Sequence, residues 1–253
     1  MKPAPSYKES GTGPLVLFLH GLGGNRHAFD RQFEHLTQNF RCAAWDVPGY
    51  GDSEPMDEMT FPTLVEHLQR TIDALNEAPY AIVGHSLGGM VAQSWLAAGG
   101  QTEKLILAQT SARFGKPGSE FNENFLNSRL QPILDGQSPG DFAEALIIGM
   151  FHNKTLATDI AAGVATMAPL PATVYQQAIE FLVTFDELEQ LSKISVPTLC
   201  LAAEHDTTAP PKNMQAMSEQ IPGAEFIVIP AAGHLAYLEQ SEQFTACISE
   251  FLA

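Results

Sequence analysis

The chain has 253 residues, of which 45% are hydrophobic and 17% charged, a composition that excludes disordered, collagen-like and coiled-coil proteins. Thirteen basic and 29 acidic residues give a formal net charge of −16. Such a surface repels phosphate backbones and anionic lipid, so we expect no nucleic-acid partner and no membrane partner.

Short apolar runs alternate with stretches of helical spacing in the first half of the chain. The predicted strands of this half cover residues 15–19, 40–45, 80–83 and 104–108. Apolar residues recur at helical spacing between these strands, over residues 28–36, 60–75 and 87–98. Strands that are apolar at nearly every position, with helices between them, indicate a parallel sheet covered on both faces.

The alternation stops near residue 113 and resumes near residue 193. The late predicted strands cover residues 196–202 and 225–229, and the late helices cover residues 210–220 and 241–252. The segment between offers helical pieces, residues 142–150 and 174–182 among them, separated by Pro and Gly. We therefore expect an α/β fold with a mostly parallel sheet. Residues 1–112 and 193–253 form its core, residues 113–192 form a helical cap, and both belong to one compact domain.

Cysteine usage and the absence of targeting signals indicate a reducing compartment. Cys42, Cys200 and Cys247 are far apart and form no C-x-x-C pair, which disfavours disulfides and thiolate metal sites. Residues 1–13 are polar and show no signal peptide, and the longest apolar run has too few residues to cross a bilayer. We expect a cytoplasmic protein that is a monomer or a homodimer.

The segment Gly84-His-Ser-Leu-Gly88 matches the G-x-S-x-G pattern of a nucleophile elbow. It follows one predicted strand directly and opens the next predicted helix. A sharp strand-to-helix turn holds a serine in strained geometry with its Oγ exposed, and side chains at the two glycines would clash across the turn. Ser86 is therefore the predicted nucleophile, although a serine that only caps the helix would give the same pattern.

A serine nucleophile needs a base, and the base needs a carboxylate that orients it. In chains with this elbow the order is serine, acid, histidine, each after a strand. His234 follows the strand over residues 225–229 and is the predicted base. Asp206, just after the strand over residues 196–202, is the predicted acid, with Glu204 as the alternative.

The loop His20-Gly-Leu-Gly-Gly24 follows the first predicted strand and exposes backbone N–H groups. We predict an oxyanion hole made of the Leu22 and Leu87 N–H groups, and a supporting role in the loop for His20. The loop lacks the glycine spacing of a phosphate-binding motif, and no motif with metal-ligand spacing occurs. We therefore expect neither a cofactor nor a metal.

With these four elements in order, the chain resembles the α/β-hydrolase family over essentially its whole length. The stretch from Gly84 to Gln93 is similar to 3-oxoadipate enol-lactonases and small carboxylesterases, and also to meta-cleavage C–C hydrolases. The segment from Asp46 to Ser53 looks like the family's D-x-P-G-x-G-x-S loop, which implies a structural role for Asp46. Few residues precede the first predicted strand, so we expect the sheet to lack an early strand of that fold.

The resemblance implies a serine hydrolase that cleaves a small-molecule ester or lactone through an acyl-enzyme. Epoxide hydrolases and haloalkane dehalogenases have an aspartate at the position of Ser86, so the resemblance favours ester chemistry over theirs. Two alternatives stay open: C–C bond hydrolysis of a vinylogous diketone by the same residues, and a small-molecule receptor built on a hydrolase scaffold.

A substrate with a free carboxylate would require a basic residue at the site. The predicted cap contains four basic residues, Arg113, Lys116, Arg129 and Lys154. Arg113 is the predicted substrate-binding residue, because it closely follows the strand over residues 104–108, and a solvated loop arginine is the alternative.

Overall fold

A computed structural model describes residues 4–116 and 118–253. The sequence-based expectations for residues 1–3 and for Pro117 therefore lie outside the described residues. One sheet contains the strands, in the order β1-β3-β2-β4-β5-β6-β7. These are β1 (Tyr7–Ser10), β2 (Leu15–Leu19), β3 (Arg41–Trp45), β4 (Ala81–His85), β5 (Lys104–Ala108), β6 (Thr198–Ala203) and β7 (Glu225–Ile229). β1 is antiparallel to β3, and all other neighbouring strands are parallel.

Helices connect the parallel strands, as crossovers between parallel strands require. They are α1 (Asp30–Leu36), α2 (Phe61–Leu75), α3 (Leu87–Ala97), α4 (Glu120–Leu134), α5 (Pro139–Met150), α6 (Ala157–Met167), α7 (Ala172–Leu182), α8 (Pro211–Ser218), α9 (Ala236–Glu239) and α10 (Ser241–Leu252). Four of them, α4 to α7, lie between β5 and β6, and a 3-10 helix (Leu188–Lys193) follows them. This is the segment in which the sequence predicted helices and no strand.

The core lies against the central strands of the sheet. All five residues of β2 are fully buried, and all residues of β4 and β6 are buried as well. Helices pack on the sheet, so side chains on both sides of these three strands are covered. The continuous apolar runs of the sequence are the direct consequence of this double burial.

The sheet has an edge strand, β1, that the sequence analysis did not predict. β1 pairs with β3 in antiparallel register, with Tyr7 opposite Trp45 and Ser10 opposite Cys42. Its four residues, Tyr-Lys-Glu-Ser, are half-buried or exposed. An edge strand of this kind is held by backbone pairing and not by apolar burial, so hydrophobic pattern did not reveal it.

The three cysteines are free thiols, as predicted. Burial raises the pKa of Cys42 and of Cys200 to about 12, so both thiols stay protonated and unreactive. In the described ranges no helix is long and apolar enough to span a membrane.

Candidate active site

Ser86 occupies the turn between β4 and α3 in a strained backbone conformation, with φ 50° and ψ −117°. A non-glycine residue with positive φ costs on the order of 1–3 kcal/mol and persists only where neighbours enforce it. Here the Ser86 N–H donates to Ala108 O (3.0 Å), and the Thr110 hydroxyl donates to Ser86 O (2.7 Å). Hydrogen bonds from the neighbouring β5 and its following loop therefore hold the turn.

The two outer glycines of the elbow are required by close approach of backbone to backbone. A Cβ at Gly84 would lie 2.6 Å from the Gly89 Cα, and a Cβ at Gly88 would collide with the Leu19 carbonyl at the end of β2. Both positions agree with the clash predicted from the motif.

The structure brings the side chains of Ser86, His234 and Asp206 into one hydrogen-bonded chain. His234 Nε2 lies 3.0 Å from Ser86 Oγ, and His234 Nδ1 lies 2.8 Å from Asp206 Oδ2. His234 and Asp206 are 4% and 3% exposed, so bulk water does not compete for these bonds. A carboxylate only accepts, so Nδ1 carries the proton and Nε2 is left to accept the serine proton.

Asp206 is held as a carboxylate by the groups around it. Burial alone would raise its pKa, but the His234 charge and hydrogen bonds from His234, Ala209 N–H and Thr208 N–H together keep that pKa below its ordinary value. The two backbone N–H groups donate to Asp206 Oδ1 at 2.9 Å and 2.7 Å. The alternative acid, Glu204, instead accepts from Ala231 N–H (2.9 Å) and is not bonded to His234.

A second buried histidine, His85, forms a hydrogen bond with the backbone of His234. His85 Nε2 donates to the His234 carbonyl at 2.9 Å, and the two rings are 5.0 Å apart. Burial, with the charge of His234 adding to it, lowers the pKa of His85 to about 3, so the ring is neutral. Sequence reasoning did not assign this role, although His85 is the variable residue directly before the serine of the motif.

The loop after β2 is fixed by His20, which is also buried and neutral. Val47 N–H donates to His20 Nε2 (3.1 Å), so Nδ1 carries the proton and donates to Gly21 O (2.8 Å). Gly24 N–H donates to the same carbonyl at 3.0 Å. That carbonyl shares a trans peptide group with the Leu22 N–H, which therefore points the opposite way.

The second expected donor, the Leu87 N–H, belongs to the first residue of α3. The first N–H groups of a helix have no partner within the helix, and they carry the positive end of its dipole. Leu22, Ser86 and His234 line one cavity, and Leu87 directly follows the serine. The placement of both residues is compatible with the predicted oxyanion hole.

Asp46 stabilises the loop beside His20. Its buried carboxylate accepts hydrogen bonds from Arg26 N–H (2.7 Å), the Arg26 side chain (2.8 Å) and Asp52 N–H (3.1 Å). Its own carbonyl accepts from the Ser53 hydroxyl at 2.9 Å. These contacts fit the structural role that the family resemblance implied.

Ser86 and His234 open onto an inner cavity of about 60 Å³. Its wall is mostly apolar and is contributed by the core and by the helices between β5 and β6. The larger apolar side chains of this wall are Leu22, Met90, Phe114, Phe125, Met150, Leu182 and Leu235. A larger cavity of about 680 Å³, beside the C-terminal half of α3, contains none of the three hydrogen-bonded residues.

The structure does not bring Arg113 to the inner cavity. Arg113 forms a β-bridge with Asp186, and its guanidinium lies 3.9 Å from the Asp186 carboxylate. The cation on the cavity wall is Arg129 of α4, another of the basic residues in the predicted cap. Arg129 follows Phe125 by one helical turn, and this spacing beside an aromatic residue was the available sequence signal.

In the described part of the chain, no cluster of three or more His, Cys, Asp or Glu side chains could hold a metal ion. The polar side chains on the wall of the inner cavity carry hydroxyl, imidazole, carboxamide and guanidinium groups.

Comparison with known proteins identifies one fold family. A family model described as alpha/beta hydrolase fold matches residues 14–241. A putative non-heme bromoperoxidase of Mycobacterium tuberculosis is 27% identical, covering 98% of this chain and 97% of its own. A 3-oxoadipate enol-lactonase of Acinetobacter baylyi is 27% identical, with 94% and 88% coverage. The solved structure of a thermophilic esterase from Thermogutta terrifontis is 29% identical with a TM-score of 0.87, covering 98% of this chain and 92% of that one.

Proposed function

Because the chain belongs to the α/β-hydrolase fold family, we propose that it is a serine hydrolase that cleaves a carboxylic ester or lactone through an acyl-enzyme. The observation that carries the proposal is the hydrogen-bonded chain from Ser86 Oγ through His234 to Asp206 at the wall of a cavity. Similarity to an esterase and to an enol-lactonase supports ester chemistry over the other reactions of the family.

In the proposed reaction Ser86 Oγ attacks the substrate carbonyl while His234 Nε2 takes the hydroxyl proton. The Asp206 carboxylate stabilises the imidazolium that forms and keeps its Nδ1–H directed inward. Collapse of the tetrahedral intermediate breaks the bond to the alkoxide oxygen, which receives the proton from His234. Water then gives a proton to His234 and attacks the acyl-enzyme, and the bond to Ser86 Oγ breaks as His234 returns the proton to that oxygen, which releases the acid and free Ser86.

The negative oxygen of each tetrahedral intermediate is stabilised by the Leu22 and Leu87 N–H groups in this mechanism. Loss of one such donor costs on the order of 3 kcal/mol in the transition state. His20 contributes indirectly, because it holds the Gly21 carbonyl and thereby the direction of the Leu22 N–H. The mechanism uses only groups of the chain itself and a water molecule.

The size of the inner cavity favours a small group next to the scissile bond. Its volume of about 60 Å³ is well below the roughly 300–1,000 Å³ of typical ligand pockets. The rest of the substrate must extend outward between the helices that precede β6. We therefore propose a small-molecule ester or lactone with a short group on the side that faces the inner cavity.

The first test is hydrolysis of p-nitrophenyl butyrate by the wild type and by Ser86→Ala. We expect the substitution to lower kcat by a factor of about 10³ to 10⁶, as removal of a serine nucleophile does in related mechanisms. Ser218→Ala is the matched control, because the Ser218 hydroxyl bonds only within α8, to Gln215 O. Equal activity of wild type and Ser86→Ala would show that the nucleophile is wrong. Cleavage of a vinylogous diketone without ester hydrolysis would favour the C–C alternative.

A further inference from the structure

We propose that Arg129 binds a carboxylate of the substrate, so that the enzyme prefers esters or lactones that also carry a free carboxylate. The inference rests on the proposed function and adds the chemical class of its substrate. It replaces Arg113, whose guanidinium lies near Asp186 and not at the cavity, as the residue for this contact.

Arg129 shares the cavity with the proposed nucleophile. It lies in α4, and its side chain lines the same inner cavity as Ser86 and His234. The guanidinium carbon is 5.8 Å from the centre of the Phe125 ring, one helical turn earlier, within the range of a cation–π contact. The aromatic ring therefore holds the guanidinium at the cavity wall without neutralising its charge.

Among the described residues of this strongly acidic chain, Arg129 is the arginine that forms no ion pair with a carboxylate. Each of the others lies within ion-pair distance of a carboxylate. These pairs are Arg26–Asp46, Arg31–Asp159, Arg41–Glu9, Arg70–Glu66 and Arg113–Asp186. No carboxylate among the described residues pairs with Arg129, although the sequence has 29 acidic residues. A half-buried guanidinium with this free hydrogen-bonding capacity is suited to bind an anion bidentately.

An outer cavity of about 350 Å³ adjoins the inner one at Arg129. Arg129, Met150 and Thr208 line both cavities, so these residues form a wall that the two cavities share. A substrate whose reactive carbonyl lies at Ser86 and whose remainder extends toward the outer cavity passes beside them. A carboxylate a few bonds from the carbonyl would then come beside the guanidinium.

The kinetic test compares monomethyl succinate with dimethyl succinate, which share the same four-carbon diacid and differ in whether the second carboxyl is charged or methylated. We expect Arg129→Met to lower kcat/KM for the monoanion by about 10- to 100-fold, the effect of a lost hydrogen bond to a charged group, and to change the diester less than about threefold. Arg129→Lys should retain part of the preference, because it keeps the charge and loses the bidentate geometry. Arg113→Met, at an arginine that does not line the cavity, is the matched control and should leave both values unchanged. Equal loss for both esters would overturn the proposal.

A binding measurement separates this proposal from the proposed chemistry. Calorimetry with monomethyl succinate uses Ser86→Ala protein, which cannot turn the ester over by the proposed mechanism. We expect Arg129→Met in this background to weaken the affinity by about 10- to 100-fold. Equal affinity with and without Arg129, or no detectable binding to Ser86→Ala protein, would overturn the proposal. Ester hydrolysis that survives Ser86→Ala contradicts the proposed nucleophile, whereas the effect of Arg129→Met on affinity tests Arg129 alone.

Discussion

At the scale of single residues, three buried histidines take different roles because their neighbours differ. His234 lies between an ionised carboxylate and a hydroxyl, which directs one proton inward and leaves Nε2 free to accept another. His20 accepts from one backbone N–H and donates to a carbonyl, so both ring nitrogens are occupied. His85 donates to the His234 carbonyl, and no partner for its Nδ1 exists among the described residues. The chemistry of each ring therefore follows from its contacts.

The neutral state of His85 predicts a pH dependence of stability. Its pKa is about 3 when folded and about 6.5 when unfolded, so between these values the unfolded chain binds a proton that the folded chain does not. Stability attributable to this residue is therefore complete above pH 6.5 and is lost as the pH falls toward 3. His85→Gln keeps a donor for the His234 carbonyl and removes the titrating group.

We expect urea unfolding to show the wild type losing about 2 kcal/mol more than His85→Gln between pH 6.5 and pH 4.5. The control is His35→Gln, which removes an exposed histidine and should follow the wild-type curve. Parallel curves for the wild type and His85→Gln would mean that His85 titrates normally in the folded state.

At the scale of elements, the site depends on β2, β4 and α3 approaching each other closely. Gly88, in the first turn of α3, is in contact with the end of β2, and this contact sets how closely the helix approaches the sheet. A wider separation would move the Leu87 N–H away from the loop that contains the Leu22 N–H. The glycine therefore links packing of elements to the geometry of the proposed oxyanion hole.

Gly88→Ala tests this packing, and Gly149→Ala in another helix is the control. Gly88→Ala forces a Cβ into the Leu19 carbonyl, and we expect a loss of about 3 kcal/mol of unfolding free energy or failure to fold. Gly149→Ala in α5 meets no atom within 4 Å and should gain about 0.5–1 kcal/mol, because alanine restricts the unfolded chain. Thermal unfolding followed by circular dichroism measures both. A Gly88→Ala protein as stable as the wild type would contradict the close approach.

At the scale of the whole molecule, the segment between β5 and β6 is joined to the His234 loop by one buried carboxylate. Glu239 accepts hydrogen bonds from Gly233 N–H (2.7 Å), His152 N–H (3.1 Å) and Asn153 N–H. The His234 N–H also donates to Met150 O at 2.8 Å. Residues far apart in sequence therefore hold the proposed base in place.

Replacing this carboxylate should affect stability and activity together. Glu239→Gln puts an amide NH₂ group where N–H donors converge, and we expect a loss of about 1–3 kcal/mol of unfolding free energy. The loosened loop should also lower kcat on the order of tenfold, since small displacements of a base are costly. Glu144→Gln, an exposed change in α5, is the control for both measurements. A Glu239→Gln protein with normal melting temperature and kcat would show that the contact is dispensable.

The sequence by itself determined the order of strands and helices and the position of the elbow. Parallel strands buried on both faces require continuous apolar runs, and the strand-to-helix turn at Ser86 requires Gly84 and Gly88, so both signals are local. Local pattern favoured Asp206 as the acid and left Glu204 as the alternative, and the hydrogen bond to His234, 28 residues away in sequence, is made by Asp206. The polar edge strand β1 and the presence of Arg129 at the cavity, where Arg113 was expected, were likewise decided by the tertiary structure. Backbone pairing at a sheet edge and the partners of a surface cation depend on residues distant in sequence, which no local pattern reports.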